Sequence, residues 1–139
     1  MTNPNTERTK GAIDADGHIL EPPDLWEKYL ETKYKNRALR ICTDKNGLEV
    51  LELDGNPSWT GYPGFPGQLG GMGKNDIAPH PDRTYLRGAP VGSMDPKERI
   101  ARLDNEGLAK AVLYPTLGLF LGEIKDQQLA AAHCRAYNR

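Results

Sequence analysis

IDADGHILEPPDLWEKYL, residues 13–30, decides the fold class, because it reads as a strand running directly into a helix. The apolar and acidic run of residues 11–21 is closed by Pro22-Pro23. Proline in a first helical turn costs nothing, since its missing amide hydrogen would be unpaired there, and Asp24 and Glu27 suit the positive helix end. A helix is therefore predicted over residues 23–33. Leu25, Trp26, Tyr29 and Leu30 form its apolar stripe, with Glu27, Lys28, Glu31 and Lys35 facing water. In the strand, a period of two places Asp14, Asp16 and His18 on one face.

Downstream, Leu39 and Ile41, then Asn46-Gly47, then Leu48, Val50, Leu51 and Leu53 predict two strands joined by a turn whose left-handed positions suit Asn-Gly. Composition changes over residues 55–92, which hold nine of the fifteen glycines and six of the eleven prolines. Such a segment is predicted to sustain neither helix nor central strand. It reads either as an excursion over a site or as a segment ordered by something absent, and Trp59, Tyr62 and Phe65 either line a substrate pocket or, the preferred reading, pin the loop down. Asp95-Pro96-Lys97-Glu98 then sets a helix N-cap, with Ile100 and Leu103 as the expected core face and Glu106-Gly107 as the stop. Ala111 to Tyr114 has the continuous apolar pattern of a parallel strand buried on both faces. A last helix from about Lys125 packs through Leu129, Ala132, His133, Ala136 and Tyr137. It runs to Arg139 without a capping glycine, so truncation of a longer domain is expected.

The 139 residues fit one domain or part of one. Lys and Arg number 18 against 19 Asp and Glu, a net charge of −1 with neither sign in a block, which disfavours nucleic acid and anionic lipid as partners. The polar start, residues 1–10, is expected to be a disordered tail and matches neither a signal peptide nor an anchor. No apolar stretch approaches the ~20 residues of a membrane span, and the expected compartment is the cytoplasm. Cys42 and Cys134 read as free thiols, Cys134 as a small buried one.

A carboxylate and an imidazole two apart at the end of a strand can converge on one cation, and in parallel α/β folds ligands gather at strand carboxyl ends. Asp16 and His18 are thus the candidate metal ligands. An isolated D-x-H pair also has an ordinary reading, with Asp14 and Asp16 as turn acceptors and His18 on the surface. His80 is expected to be a solvated loop residue and His133 a packed or half-exposed one. The glycines of residues 67–74, GQLGGMGK, lack the order of a phosphate loop and serve flexibility.

Residues 13–30 resemble the opening of the amidohydrolase superfamily, in the amidohydrolase-related branch of metal-dependent hydrolases and non-oxidative decarboxylases. RIARLDNEGLAKAVLYPTLGLF, residues 99–120, resembles the branch's helix and second barrel strand, which ends in Pro-Thr. The resemblance implies an α/β fold of the (β/α)8 barrel type. Residues 11–139 would supply its first two strand-helix units, with an inserted hairpin and a Gly/Pro-rich loop over residues 54–94. The family's first strand carries H-x-H metal ligands, and Asp16 and His18 occupy the matching positions, Asp16 being a departure in charge. A divalent cation is implied, zinc first and manganese second, acting on a small organic substrate. Its further ligands, a histidine on a middle strand and an aspartate on the last, have no counterpart here. The expected function is therefore the amino-terminal portion of a metal-dependent hydrolase cleaving C–N or C–O bonds, inactive by itself. The alternatives are a non-oxidative decarboxylase or a truncated, non-catalytic binding protein. Copies of the chain are admitted as partners in a homo-oligomer.

Overall fold

The computed structural model describes residues 9–139. In order it forms β1 (Ala12–His18), α1 (Leu25–Tyr29), a 3-10 turn (Thr32–Arg37), β2 (Arg40–Thr43), β3 (Glu49–Leu53), β4 (Asn56–Pro57), α2 (Phe65–Gly70), α3 (Tyr85–Gly88), α4 (Pro96–Glu106), β5 (Leu108–Tyr114), a second 3-10 turn (Leu117–Glu123) and α5 (Gln127–Tyr137). Residues 1–8 of the expected disordered tail lie outside the described residues. The chain divides into two compact units, one built on residues through Glu21 with Pro90–Thr116, the other on Pro22–Ala89 with Leu117–Arg139.

In the first unit β1 and β5 pair in parallel, as the apolar run at Ala111 predicted. The α4 cap is the one its sequence specifies: the Asp95 carboxylate accepts the amides of Lys97 and Glu98 at 2.7 and 3.1 Å. Glu98 turns outward from the cap to accept the Gly92 amide at 3.0 Å, and Gly107 ends the helix in the left-handed conformation. Two burial expectations are corrected here. Ile100 is 60% exposed, and Val112, Leu113 and Tyr114 are each more than two-fifths exposed. Among the described residues the parallel sheet has two strands, which leaves these side chains partly exposed.

The second unit carries the core. β2 and β3 form the expected hairpin, with Ile41 opposite Leu51 and Arg40 opposite Glu52, the latter pair joined by an ion pair of 2.6 Å. Gly47 alone takes the left-handed position of the turn, and the Asp44 carboxylate accepts the amides of Asn46 and Leu48 at 2.8 and 2.9 Å. The helix predicted over residues 23–33 is shorter. Leu30 adopts extended backbone and the chain re-enters as a 3-10 turn, a break that buries Trp26, Leu30 and Tyr34 while Tyr29 stays exposed. On α5, Leu129, Ala132, His133 and Ala136 are buried as predicted, whereas Cys134 faces solvent and not the core. Both cysteines are free. The Arg37 guanidinium ties this unit together, donating to Asp54 and, at 3.0 Å, to Asp126, the N-cap of α5. That pairing holds both carboxyls below their ordinary range.

The glycine-rich segment is the largest departure from expectation, since it contains α2 and α3. Several of its glycines are contact points and not breakers. A Cβ built on Gly67 would lie 2.0 Å from the Arg83 carbonyl oxygen, and one on Gly70 would lie 2.2 Å from that of Tyr85. Backbone therefore packs directly on backbone, which only glycine permits. Tyr85 is fully buried and its amide donates to Glu49 at 2.6 Å, a carboxyl that burial pushes up. Gly70→Ala is expected to cost about 1 to 3 kcal/mol, the range for forcing atoms into a packed contact. Chemical denaturation would check this, and a neutral result would mean the helices separate without penalty. Phe65 does pin the segment, edge-on to Phe120 at 5.5 Å and against Tyr62 at 5.1 Å. Trp59 does not, being 79% exposed. Its amide and its neighbour Ser58 are held by the Glu123 carboxylate at 3.2 and 2.6 Å while the indole points away.

Candidate functional site

Parallel pairing brings the carboxyl ends of β1 and β5 together, with His18 opposite Tyr114 and their rings 6.0 Å apart. The strands' geometry does not keep Asp14 and His18 on a single face. Asp14 pairs with Ala111 and Gly17 with Leu113, so β1 uses three steps where β5 uses two. This bulge inserts one residue and reverses the alternation beyond it. Asp14 consequently shares a face with Gly17, and His18 falls on the other.

Gly17 sits in a tight place. A Cβ there would lie 2.9 Å from the Asp14 carboxylate and 3.1 Å from the Val112 carbonyl oxygen. The room that glycine leaves is thus filled from within the strand pair. The Asp14 carboxylate accepts the Asp16 amide at 3.1 Å, the turn-acceptor role weighed for it. The Asp16 side chain is exposed at the bulge, and His18 is half-buried one step past it.

Around His18 the structure assembles residues that the sequence did not single out. Thr116, two residues past the end of β5, has its hydroxyl 3.2 Å from His18 Nδ1 and 2.6 Å from the Ile19 carbonyl oxygen. The Thr116 amide donates to both carboxylate oxygens of Glu21, at 3.1 and 3.3 Å, and both residues are buried. Arg99 on α4 donates through Nη2 to the His18 carbonyl at 2.6 Å and through Nε to the Gly92 carbonyl at 2.7 Å. The amides of Ile19 and Leu20 donate to the carbonyls of Tyr114 and Ser93 at 3.0 and 2.9 Å. His18 therefore projects from backbone held on every side. A buried carboxylate at the end of an apolar run, just before Pro22-Pro23, was the available signal for Glu21; its partner lies 95 residues away.

The other candidates lie elsewhere. His80 is exposed, with Nδ1 accepting the Asp82 amide at 3.1 Å. His133 is fully buried in the second unit, and burial holds its pKa below the ordinary imidazole value. Residues 67–74 lie in α2 and the turn after it; Gly67, Gly71 and Lys74 border a cavity of about 320 Å³ with Arg83 and Arg87, whose guanidinium groups are paired with Asp76 and Asp82. Among the described residues no group of three or more His, Cys, Asp or Glu side chains is placed to hold a metal ion. No helix among them is long and apolar enough to cross a membrane.

No family model and no curated protein matches the sequence. Among solved structures, an amidohydrolase from Mycobacterium avium subsp. paratuberculosis K-10 superposes with a TM-score of 0.65 at 22% identity, over 93% of this chain and 36% of that one. The chain thus spans a little over a third of that amidohydrolase's length. The two share a mixed α/β fold.

Proposed function

We propose that this chain is the amino-terminal portion of a metal-dependent, amidohydrolase-like hydrolase that cleaves a C–N or C–O bond in a small organic substrate. β1 and β5 are read as the first two strands of a (β/α)8 barrel. The observation that carries the reading is His18 held beside Thr116 at the paired carboxyl ends of two parallel strands, where such folds place their chemistry. The exposed apolar faces of β5 are those that further strands and helices would cover. The fold likeness to an amidohydrolase favours hydrolysis over decarboxylation.

An imidazole and a carboxylate are donors that zinc or manganese accepts, so His18 and Asp16 fit part of a cation's donor set. The remaining donors would come from later strands. A cation held by His18, Asp16 and those donors would lower the pKa of a bound water or polarise a substrate carbonyl. The chain's own residues orient the site: Arg99 fixes the His18 carbonyl, and Glu21 fixes Thr116.

The test begins with the coding sequence beyond the codon for Arg139. It is expected to continue far enough to complete a barrel of about 250 residues or more. In that longer protein, His18→Ala and Asp16→Ala should each lower metal content and ester, lactone or amide hydrolysis by at least about 100-fold, the upper end of what losing even a residue behind a metal ligand costs. The 139-residue chain alone should show no turnover with added zinc or manganese. A stop codon after Arg139, or full activity in both variants, would overturn the reading.

A further inference from the structure

We infer that Thr116 is a positioning residue that sets the tautomer of His18, holding the proton on Nδ1 and presenting Nε2 as an electron-pair donor. The inference deepens the function proposed above, and rests on it only for what Nε2 would bind.

The argument is proton counting. The Thr116 hydroxyl has one hydrogen and two acceptor lone pairs. It lies 2.6 Å from the Ile19 carbonyl oxygen, which has no hydrogen to offer, so the hydroxyl hydrogen occupies that contact. Toward His18 the same oxygen then offers only a lone pair. The 3.2 Å approach to Nδ1 is attractive only if Nδ1 carries a hydrogen; the other tautomer would set two lone pairs against each other. The neutral ring has one N–H, so Nε2 is left unprotonated. A ring nitrogen ligating a cation is oriented in this way, by the hydrogen bond its partner nitrogen makes.

Thr116 can impose this because neither of its contacts is free to drift. Its amide is held by the buried Glu21 carboxylate, and the Ile19 carbonyl belongs to a segment fastened by Tyr114, Ser93 and Arg99. The other two histidines provide internal references. His133 donates from Nδ1 to the Leu129 carbonyl at 3.0 Å and accepts the Leu39 amide on Nε2 at 3.1 Å, so it is also an Nδ1–H ring. His80 accepts the Asp82 amide on Nδ1 and is an Nε2–H ring.

Long-range 1H–15N imidazole correlations of the 139-residue chain, at a pH of about 8.5 where imidazole is neutral, test this. Two Nδ1–H rings and one Nε2–H ring are expected, with His18→Gln removing one of the former. Thr116→Val should move the His18 proton to Nε2 or mix the two forms, and Thr116→Ser should restore the wild-type pattern. An Nε2–H form of His18 in the wild type overturns the inference without recourse to any variant. A wild-type Nδ1–H ring unchanged in Thr116→Val overturns the role of Thr116. Adding zinc should shift His18 Nε2 in the wild type and less in Thr116→Val. No zinc effect on an Nδ1–H ring would overturn the metal reading while upholding the tautomer, so the two failures are distinguishable.

Discussion

Trp26→Ala is expected to remove about 3 to 5 kcal/mol of stability, the usual cost of deleting a large buried aromatic ring. The indole is fully buried, stacked obliquely on the His133 ring at 6.4 Å, and its Nε1–H donates to the His133 carbonyl at 3.2 Å. It projects from α1, which has five residues and could not persist alone, because helices shorter than about 12 residues are marginal in water. Burial of Trp26 and Leu30 is therefore what holds this turn helical, and alanine removes most of it. A domain typically has about 5 to 15 kcal/mol in total, so the variant should lose roughly a fifth or more of its stability. Trp26→Phe separates the contributions. It keeps most of the apolar area and leaves the His133 carbonyl without the indole, a cost of about 1 to 3 kcal/mol. Urea unfolding followed by circular dichroism suits the measurement, since the remaining Trp59 is exposed and a poor reporter of the core. A loss below about 1 kcal/mol for Trp26→Ala would show that α1 contributes little to the fold.

What the sequence made legible in this fold is what local chemistry specifies. The Asp95-Pro96 cap, the hairpin around Asn46-Gly47 and the buried stripe of α5 each depend on residues within a few positions of one another, and each formed, with Gly47 but not Asn46 left-handed in the turn. The errors share a different origin. The bulge in β1 that separates Asp14 from His18 exists only in register with β5, more than ninety residues away, and period-two reasoning on one strand cannot reveal it. Gly67 and Gly70 look like breakers locally, but their role is set by the carbonyls of Arg83 and Tyr85, which arrive from α3 and the segment just before it.

The candidate site divides along the same line. His18 was legible because a metal-ligand residue type ended an apolar run, and the family resemblance placed it at a strand's carboxyl end. Thr116, Glu21 and Arg99 were not, since their value lies in contacts 81 to 98 residues long in sequence. Asp16 illustrates the intermediate case. The residue type was readable, whereas its exposed position at a bulge depended on the partner strand.

The second large effect is acid destabilisation through His133. Its ring is fully buried with both nitrogens committed, Nδ1 to the Leu129 carbonyl and Nε2 to the Leu39 amide. Adding a proton to Nε2 turns the acceptor for Leu39 into a second donor and places a charge where water cannot reach it. Burial accordingly lowers the pKa; nearby Asp54 opposes the shift and Arg37 adds to it. An unfolded histidine titrates near 6.5, so below about that pH the unfolded chain binds a proton that the folded one refuses. Stability is then complete above about pH 6.5 and falls as pH drops through the window toward the lower folded pKa. The carboxyls of Asp54 and Asp126 are held low, and their contribution is lost only at more acid pH, below the ordinary carboxylate range. Glu49, pushed up by burial, has the opposite sign and is stabilising on its acid side. Urea midpoints measured between about pH 8 and pH 5 should therefore decline most steeply just below about pH 6.5. His133→Gln should flatten that decline at the cost of lower stability at neutral pH, because a side-chain amide can accept from Leu39 but does not titrate. An equal slope in the wild type and His133→Gln would assign the acid sensitivity to other groups.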